Sequence, residues 1–386
     1  MRISFSYLNA SKAKLVQGLG IQRIEVHEVT LRYKEPFTIS AGTSIKNRNI
    51  FVKIVTDYEV FGWGEASPSK RVTGETPETI LKTLDKMCPH LIGACPLRIA
   101  RDVDMMDCIV SGSPSAKAAV DIALHDILGK TACKPTWRLL GGFRERVLTD
   151  ITLSIKPPKE MAEDAVKAVK SGFKALKVKV GTSPKRDVER IKRIREAVGD
   201  KIAVRIDANQ GWTVTQAFDV LKKLEKLNIQ FVEQPTEAGN ILGLAKIKKI
   251  SPIPVMADES VHSSFDAMRL IKANAVDLIN VKLMKSGGVH SAAKIAAVAE
   301  AANVPCMIGC MGESAIGITA AVNFAAATKN VQYADLDCDI LLADKLVIEG
   351  GAGLKNSERI PNNEAGFGLT KLNEKLLGKP VRIYGN

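Results

Sequence analysis

Two lysines within one apolar stretch are the first residues whose type and spacing suggest chemistry. Lys177 and Lys179 are two positions apart in residues 175–181, which are otherwise apolar. In a strand, side chains two positions apart point to the same side, so both ammonium groups would share one face. Two like charges on a buried strand are unfavourable without a partner or a function, whereas an exposed edge strand would tolerate them. The pair alone leaves both interpretations open.

Three acids and a further lysine follow Lys179 at regular distances. Asp207, Glu233, Asp258 and Lys282 are each 24 to 28 positions beyond the preceding residue of the series, which is about one strand–helix unit. Carboxylates at the ends of three adjacent strands would repel one another unless a cation lay between them. Three oxygen ligands suit Mg²⁺, and no histidine is among the residues of this series, which disfavours zinc. One acid could be a surface or helix-capping residue, but three in phase predict a Mg²⁺ site.

The two outer lysines of this series could invert a carbon centre. In an eight-stranded barrel the second and sixth strands lie opposite each other, so Lys179 and Lys282 would face each other across the metal. One lysine could remove the α-proton and the other could return it on the opposite face. Mg²⁺ would hold a substrate carboxylate and stabilise the resulting enediolate. We also expect Lys177 and the cation to lower the pKa of the catalytic ammonium towards the working pH.

The elements that must position these residues alternate between short apolar strands and amphipathic helices. Eight strands are predicted at residues 148–155, 175–180, 202–208, 229–233, 255–258, 278–283, 306–310 and 333–337. Apolar residues between them recur at helical spacing, as in Val188, Ile191 and Ile194. Eight such units predict an α/β fold, a parallel (β/α)8 barrel of the TIM type. The alternative, a doubly wound open sheet, lacks a glycine-rich phosphate-binding motif after its first strand.

The chain divides into four predicted segments. These are an N-terminal tail at 1–20, an α+β capping domain at 21–145, the catalytic barrel at 146–349 and a segment returning to the capping domain at 350–386. Within the capping domain, residues 36–49 and 67–76 are polar and contain glycine and serine, which predicts two loops, the first of them mobile.

Composition narrows the classes of function. Of 386 residues, 46% are apolar and 25% charged, as in ordinary globular proteins, and no apolar run approaches the ~18 residues of a membrane span. Seven cysteines without a CxxC pair indicate reduced thiols and a cytoplasmic protein. The net charge of +13 could attract nucleic acid, but the basic residues alternate with acids, and aromatic residues are only 5%. We therefore predict neither nucleic-acid nor membrane binding; a homo-oligomer stays open.

Five motifs, spread over a match of residues 21–380, resemble the muconate-lactonizing subgroup of the enolase superfamily. They are Lys177-Val-Lys179, Asp207-Ala-Asn-Gln-Gly-Trp212, Val232-Glu-Gln-Pro235, Asp258-Glu-Ser260 and Lys282-Leu-Met-Lys-Ser-Gly-Gly288. The resemblance implies that Asp207, Glu233 and Asp258 bind Mg²⁺ and that Lys179 and Lys282 are the acid–base pair. It implies that Lys177 helps to hold the substrate carboxylate. The mandelate racemase subgroup would have a histidine near the seventh strand, and residues 306–337 contain none.

Within this subgroup, Asp335-Leu-Asp337 resembles the signature of dipeptide epimerases, in which two aspartates bind the substrate α-ammonium. Paired anions suit a buried cation, although one aspartate could instead cap the following helix. By the same resemblance, Thr152, Cys310 and Gly312 line the dipeptide site.

One position departs from the pattern of L-Ala-D/L-Glu epimerases. Those enzymes have an arginine in the first cap loop that binds the glutamate side chain, and this chain has Gly42 there. Lys46 or Arg48 could replace that arginine, or the preferred side chain could differ.

The sequence therefore predicts a Mg²⁺-dependent dipeptide epimerase that inverts the α-carbon of the C-terminal residue. The alternatives are an N-acylamino acid racemase, an o-succinylbenzoate synthase or a cycloisomerase on the same barrel. These need no free substrate amine and leave Asp335 and Asp337 without a role. A basic nucleic-acid-binding protein without catalysis would bind less tightly as salt rises, and would make the Lys/Asp/Glu/Asp/Lys series a coincidence.

Overall fold

The computed structural model describes residues 18–386, and most of the predicted N-terminal tail (1–20) lies outside this range. The first part is an antiparallel sheet of four strands in the order β17–β1–β2–β3. Its strands are β1 (Ile21–Ile39), β2 (Gly42–Thr56), β3 (Phe61–Ala66) and, from the far end of the sequence, β17 (Arg382–Gly385). Residues 18–386 contain no helix long and apolar enough to cross a membrane.

The predicted mobile loop at 36–49 is wrong, because these residues continue a long hairpin. β1 and β2 pair from Ile21 opposite Thr56 to Ile39 opposite Gly42, with a register shift between Arg32 and Phe37. The outer half of the hairpin extends beyond the sheet, so neither face is fully buried and the sequence shows no alternation of apolar and polar residues. The second predicted loop is observed as a loop between β3 and the next helix.

Helices cover one face of this sheet and give the capping domain a core of its own. They span Pro77–Leu91, Ile99–Ile109, Pro114–Thr131 and Thr136–Leu139. The first begins with a capping box in which Thr76 and Thr79 exchange side-chain-to-backbone hydrogen bonds. The third is buried almost all round because it packs between the sheet and the barrel. Its backbone approaches β3 at Gly62 and Gly64, where no side chain separates the two elements.

Substituting Gly64 by alanine should destabilise the protein by about 3 kcal/mol or more. The added Cβ would overlap the carbonyl oxygen of Ala119, and neither backbone can yield without moving a whole element. Gly239→Ala is the matched control, since its Cβ would have no atom within 4 Å. Urea denaturation should show a lower midpoint for Gly64→Ala only; equal midpoints would contradict this packing.

Eight parallel strands form the second sheet in strict sequence order. They are β5 (Ile151–Leu153), β6 (Ala175–Lys179), β7 (Ala203–Asp207), β8 (Ile229–Glu233), β9 (Val255–Ala257), β10 (Leu278–Val281), β11 (Cys306–Ile308) and β12 (Val331–Ala334). A parallel bridge between Thr149 and Ala334 joins the first strand to the last and closes the sheet. The predicted (β/α)8 barrel with an α+β capping domain is confirmed.

The surrounding elements bury the outer faces of these strands. The helices are Pro158–Lys170, Pro184–Val198, Val214–Leu224, Ile241–Ile250, Ser264–Lys272, Leu283–Ser286, Val289–Ala301, Ala315–Ala327, Cys338–Leu341 and Glu374–Leu377, with a 3₁₀ turn at Glu225–Leu227. The remaining strands are β4 (Val147–Leu148), β13 (Val347–Gly350), β14 (Gly353–Lys355), β15 (Glu358–Ile360) and β16 (Leu369–Leu372). In β6, Leu176 and Val178 join the core between sheet and helices, so Lys177 and Lys179 face the barrel interior.

A buried glutamate fastens the capping sheet to the mouth of the barrel. The carboxylate of Glu65, on β3, accepts hydrogen bonds from Ser314 N at 2.7 Å, Ser314 Oγ at 2.7 Å, Gly317 N at 2.8 Å and Asn49 Nδ2 at 2.7 Å. Three of these donors belong to the start of helix Ala315–Ala327, where free N–H groups favour a carboxylate. The contact holds the hairpin over the carboxyl ends of the barrel strands.

Candidate active site

Lys177 lies at the centre of the acidic groups inside the barrel. Its Nζ is 2.6 Å from Asp335 Oδ2, 2.8 Å from Glu233 Oε2 and 3.1 Å from Asp207 Oδ2, and the residue is 1% exposed. Strand β6 is buried on both faces, so the edge-strand interpretation of its lysines is wrong. A buried ammonium with three carboxylate neighbours is compensated in charge and hydrogen bonding.

Lys179 and Lys282 enter one cavity from opposite sides of the barrel. Lys179 ends β6 and Lys282 follows β10, and four steps around an eight-stranded ring separate these strands. Lys179 Nζ is 2.7 Å from Asp207 Oδ2, and Lys282 Nζ is 2.7 Å from Asp258 Oδ2. Both side chains line a cavity of about 110 Å³ whose wall also includes Asp335. Two amines therefore reach the same cavity from opposite strands.

The three predicted metal ligands follow neighbouring strands and are completely buried. Asp207 and Glu233 end β7 and β8, and Asp258 follows β9. Within residues 18–386, Glu233 Oε2 and Asp258 Oδ1 have no hydrogen-bond partner, although each lies within 3 Å of a lysine Nζ. An all-carboxylate set in which two buried oxygens have only a lysine ammonium beside them fits a hard cation such as Mg²⁺.

The carboxylates raise rather than lower the pKa of two of the lysines. Burial alone would lower the pKa of Lys177, but Asp335, Glu233 and Asp207 raise it well above its ordinary value. Burial likewise opposes the ammonium of Lys282, and Asp258 raises its pKa above the ordinary value. Carboxylates at 2.6–3.1 Å from these two ammonium groups outweigh both burial and the neighbouring lysines. The expectation of a lowered pKa concerned the catalytic ammonium beside Lys177 with the cation bound, and it stays a prediction.

Carboxyl groups in the same cluster differ from one another. Burial and the charge of Asp207 raise the pKa of Glu233 to about 8. Burial also opposes ionisation of Asp335, but Lys177 lowers its pKa to about 2. Asp337 is buried beside Asp335, and its pKa is raised to about 7. The cluster thus keeps one firmly ionised carboxylate next to one that titrates near neutrality.

The residues predicted to bind the dipeptide amine or to line the dipeptide site lie together, with one exception. Asp337 Oδ2 accepts a hydrogen bond of 2.6 Å from Thr152 N, and Asp335 Oδ1 accepts one of 3.3 Å from Thr152 Oγ1. Cys310 Sγ is 3.6 Å from Asp337 Oδ1. Asp337 makes no side-chain capping bond to helix Cys338–Leu341, so the capping alternative fails for this residue. Gly312 is the exception.

Gly312 faces the cap hairpin instead of the cavity. Its carbonyl oxygen accepts hydrogen bonds from Asn49 Nδ2 at 2.9 Å and Asn47 Nδ2 at 3.2 Å. Its φ of +137° favours glycine, and a Cβ there would overlap Asn47. The neighbouring Cys310 and Met311 line the cavity, and Gly312 itself does not.

Two polar residues that sequence reasoning left without a role support the carboxylates. Lys285 Nζ is 2.9 Å from Asp258 Oδ1 and donates to the backbone oxygens of Asp258, Val261 and Asn280. Asn280 Nδ2 donates a 2.7 Å hydrogen bond to Glu233 Oε1. Lys285 lies within the motif Lys282-Leu-Met-Lys-Ser-Gly-Gly288. Asn280 lies on β10, two residues before Lys282, so the alternation of side chains along a strand could have identified Asn280 as a residue of the same face.

Family models match both parts of this architecture. The model described as mandelate racemase / muconate lactonizing enzyme, N-terminal domain, matches residues 22–141, and the model described as enolase C-terminal domain-like matches residues 160–375. The chain belongs to this family, within the enolase superfamily. It is an isomerase of the racemase and epimerase class.

Relatives of known name are similar along nearly their whole length. The chain is 42% identical to the hydrophobic dipeptide epimerase of Enterococcus faecalis, covering 91% of this chain and 100% of that protein. It is 42% identical to the L-Ala-D/L-Glu epimerase of Clostridium acetobutylicum, covering 92% and 99%.

Solved structures share the fold closely. The E. faecalis V583 dipeptide epimerase, complexed with Mg and the dipeptide L-Leu-L-Tyr, has a TM-score of 0.89, with 42% identity over 91% of this chain and 100% of that one. The N-succinyl Arg/Lys racemase of Bacillus cereus has a TM-score of 0.91, with 36% identity over 94% and 99%.

Proposed function

We propose that the protein is a Mg²⁺-dependent dipeptide epimerase that inverts the α-carbon of the C-terminal residue. The observation that supports this most is the presence of two opposed lysines and two adjacent aspartates in the wall of one cavity. The lysines suit exchange of a proton at carbon, and the aspartates suit a substrate ammonium at a fixed distance from that carbon. The named relatives favour the same chemistry.

The proton transfer uses Lys179 and Lys282 as complementary acid and base. For one epimer, a neutral Nζ of one lysine accepts the α-proton, and the ammonium of the other donates a proton to the opposite face. The reverse reaction exchanges the two roles, so each turnover leaves the total number of protons unchanged. Because the two lysines lie on opposite strands, inversion follows from their placement.

Asp207, Glu233 and Asp258 would hold Mg²⁺. When bound, the cation supplies positive charge that attracts the substrate carboxylate and stabilises the negative charge that develops as the α-proton leaves. Lys177 adds a fixed positive charge beside Asp207 and Glu233 and helps to orient the same carboxylate. Lys285 and Asn280 hold two of the ligands in place.

Asp335 and Asp337 bind the free α-ammonium of the N-terminal residue, with Thr152 orienting both carboxyl groups. A cation removed from water needs such anionic partners.

We also place the enzyme in the cytoplasm, which is supported by the absence of a disulfide among the described residues.

An N-acylamino acid racemase is the second candidate, favoured by the TM-score of 0.91 with the N-succinyl Arg/Lys racemase. It would use the same lysines but no α-ammonium. The two candidates therefore differ in what they require of Asp335 and Asp337.

Exchange of the α-proton in D₂O with Mg²⁺ separates these functions. We expect deuterium to enter L,L-dipeptides with a free amine and not N-succinylated amino acids, measured by mass spectrometry over a mixed library. Asp337→Asn should lower kcat/KM for dipeptides by about tenfold to a hundredfold, because a charge-assisted contact to the ammonium is lost. Exchange confined to the N-succinylated compounds would contradict the dipeptide assignment.

A further inference from the structure

Two side cavities adjoin the space between the catalytic lysines. The first cavity, of about 250 Å³, shares Thr152 and Leu341 with the cavity between the lysines. It extends towards Lys156, on the side of the barrel where β5 lies. The second, about 280 Å³, shares Val72 and Asn209 with the cavity between the lysines and extends beneath the tip of the cap hairpin. Each is large enough for an amino-acid side chain.

The proposed position of the α-ammonium assigns one side chain to each cavity. Asp335 and Asp337 contact Thr152, which is in the wall of the first cavity, so the N-terminal residue of the dipeptide lies on that side. The α-carbon between Lys179 and Lys282 belongs to the next residue. Its side chain therefore extends towards the second cavity.

Cations dominate the second cavity. Lys70 and Arg71 lie in its wall, and Glu259 is its one acid among the described residues. Glu259 is 7% exposed and accepts a hydrogen bond from Asn209, so it belongs to the floor of the site. The side chain of Arg71 is exposed and forms no hydrogen bond or ion pair with any residue in the range 18–386.

The guanidinium of Arg71 lies directly against Gly42. A Cβ at Gly42 would be 2.7 Å from Arg71 Nη2 and 3.2 Å from Nη1. Because Gly42 has no side chain, the guanidinium of Arg71, from the loop after β3, fits against the hairpin. A guanidinium has paired donors that match a carboxylate.

The two cations suggested by the sequence do not occupy this place. Arg48 Nε is 2.7 Å from Glu28 Oε1 and its Nη1 is 2.6 Å from Glu78 Oε1, so Arg48 is held by two acids on the outer surface. Lys46 is exposed and lines none of the three cavities described here.

We propose that Arg71 selects dipeptides whose epimerised residue has an anionic side chain, glutamate or aspartate. This inference rests on the proposed dipeptide epimerase function. The side-chain carboxylate of the substrate enters the second cavity and binds the guanidinium of Arg71 beside Gly42. The side-chain specificity of this enzyme therefore depends on the loop at residues 67–76.

The test compares kcat/KM for L-Ala-L-Glu, L-Ala-L-Gln, L-Ala-L-Leu and L-Ala-L-Lys, with the rate of α-deuteration as the readout. For the wild-type enzyme we expect the Glu/Gln ratio to be about ten to a hundred, the range of a charge-assisted hydrogen bond. Arg71→Leu should reduce this ratio to about one. Lys46→Leu is the matched control, because it removes the same charge outside the cavities and should keep the ratio.

The outcomes distinguish this inference from the proposed function. Some dipeptides could exchange with a Glu/Gln ratio of kcat/KM near one, or with L-Ala-L-Lys preferred. Either result would overturn the role of Arg71 and leave the proposed epimerase function standing. Preference for the lysine dipeptide would point to Glu259 as the selecting residue. A ratio that falls equally in Arg71→Leu and Lys46→Leu would indicate long-range electrostatics and would also overturn it. Absence of exchange with every dipeptide would overturn the proposed function itself.

Discussion

Replacing Lys179 or Lys282 by alanine should slow dipeptide epimerisation by about 10²–10⁴-fold or more, since a positioned general acid or base contributes that much. The lysines reach one cavity from opposite strands, so neither can serve the face of the other. In D₂O, each variant should still exchange the α-proton of the one stereoisomer that its remaining lysine faces, with retention of configuration. Mass spectrometry combined with chiral separation of the dipeptides measures both effects.

Loss of folding would not explain this result. After Lys179→Ala, Asp207 keeps Lys177 at 3.1 Å, and after Lys282→Ala, Asp258 keeps Lys285 at 2.9 Å. No ligand carboxylate is left buried without a cation, so thermal unfolding should stay close to that of the wild type. Epimerisation that persists in either variant would contradict a two-base mechanism.

Removing divalent cations with EDTA should reduce epimerisation to the background rate, and Mg²⁺ should restore it. Metal-assisted stabilisation of developing charge contributes several kcal/mol, which corresponds to about 10³-fold or more in rate. Added Mg²⁺ should also raise the Tm of the wild-type protein, because a ligand of the folded state stabilises it. Full activity after exhaustive chelation would contradict this prediction.

Glu233→Gln is the informative variant for the metal. Glu233 Oε1 accepts a hydrogen bond from Asn280, which holds the carboxylate in place, and Oε2 has the ammonium of Lys177 2.8 Å away. The group that Oε2 faces is therefore already a cation. The neutral amide keeps the shape and removes the charge. We expect Mg²⁺ to raise the Tm of this variant much less than that of the wild type.

Strand spacing was sufficient to locate the central chemistry. The carboxyl ends of parallel strands meet at one end of a barrel, so residues at these ends that recur at regular intervals, such as Asp207, Glu233 and Lys282, are predicted to surround one space. The strand boundaries differ from the predictions by only a few residues, because buried parallel strands appear as short apolar runs.

Features that depend on contacts between distant loops could not be predicted in this way. The outer hairpin has no buried face, so its pairing leaves no pattern in the sequence. The approach of Arg71 to Gly42 depends on two loops 29 positions apart, and nothing local to either residue indicates it. Gly312 follows the cavity residue Met311 directly, but its φ turns the backbone towards Asn47 and Asn49.

The capping sheet imposes an order of assembly on the growing polypeptide. Strand β17 pairs with β1 at Arg23, Ile24, Glu25 and Val26, yet the entire barrel lies between them in the sequence. At ribosomal elongation rates, the edge of β1 stays unpaired for roughly tens of seconds while the barrel is synthesised. During that interval the unpaired backbone groups of β1 could pair with a strand of another chain. The capping sheet reaches its four strands only after β17 has been synthesised.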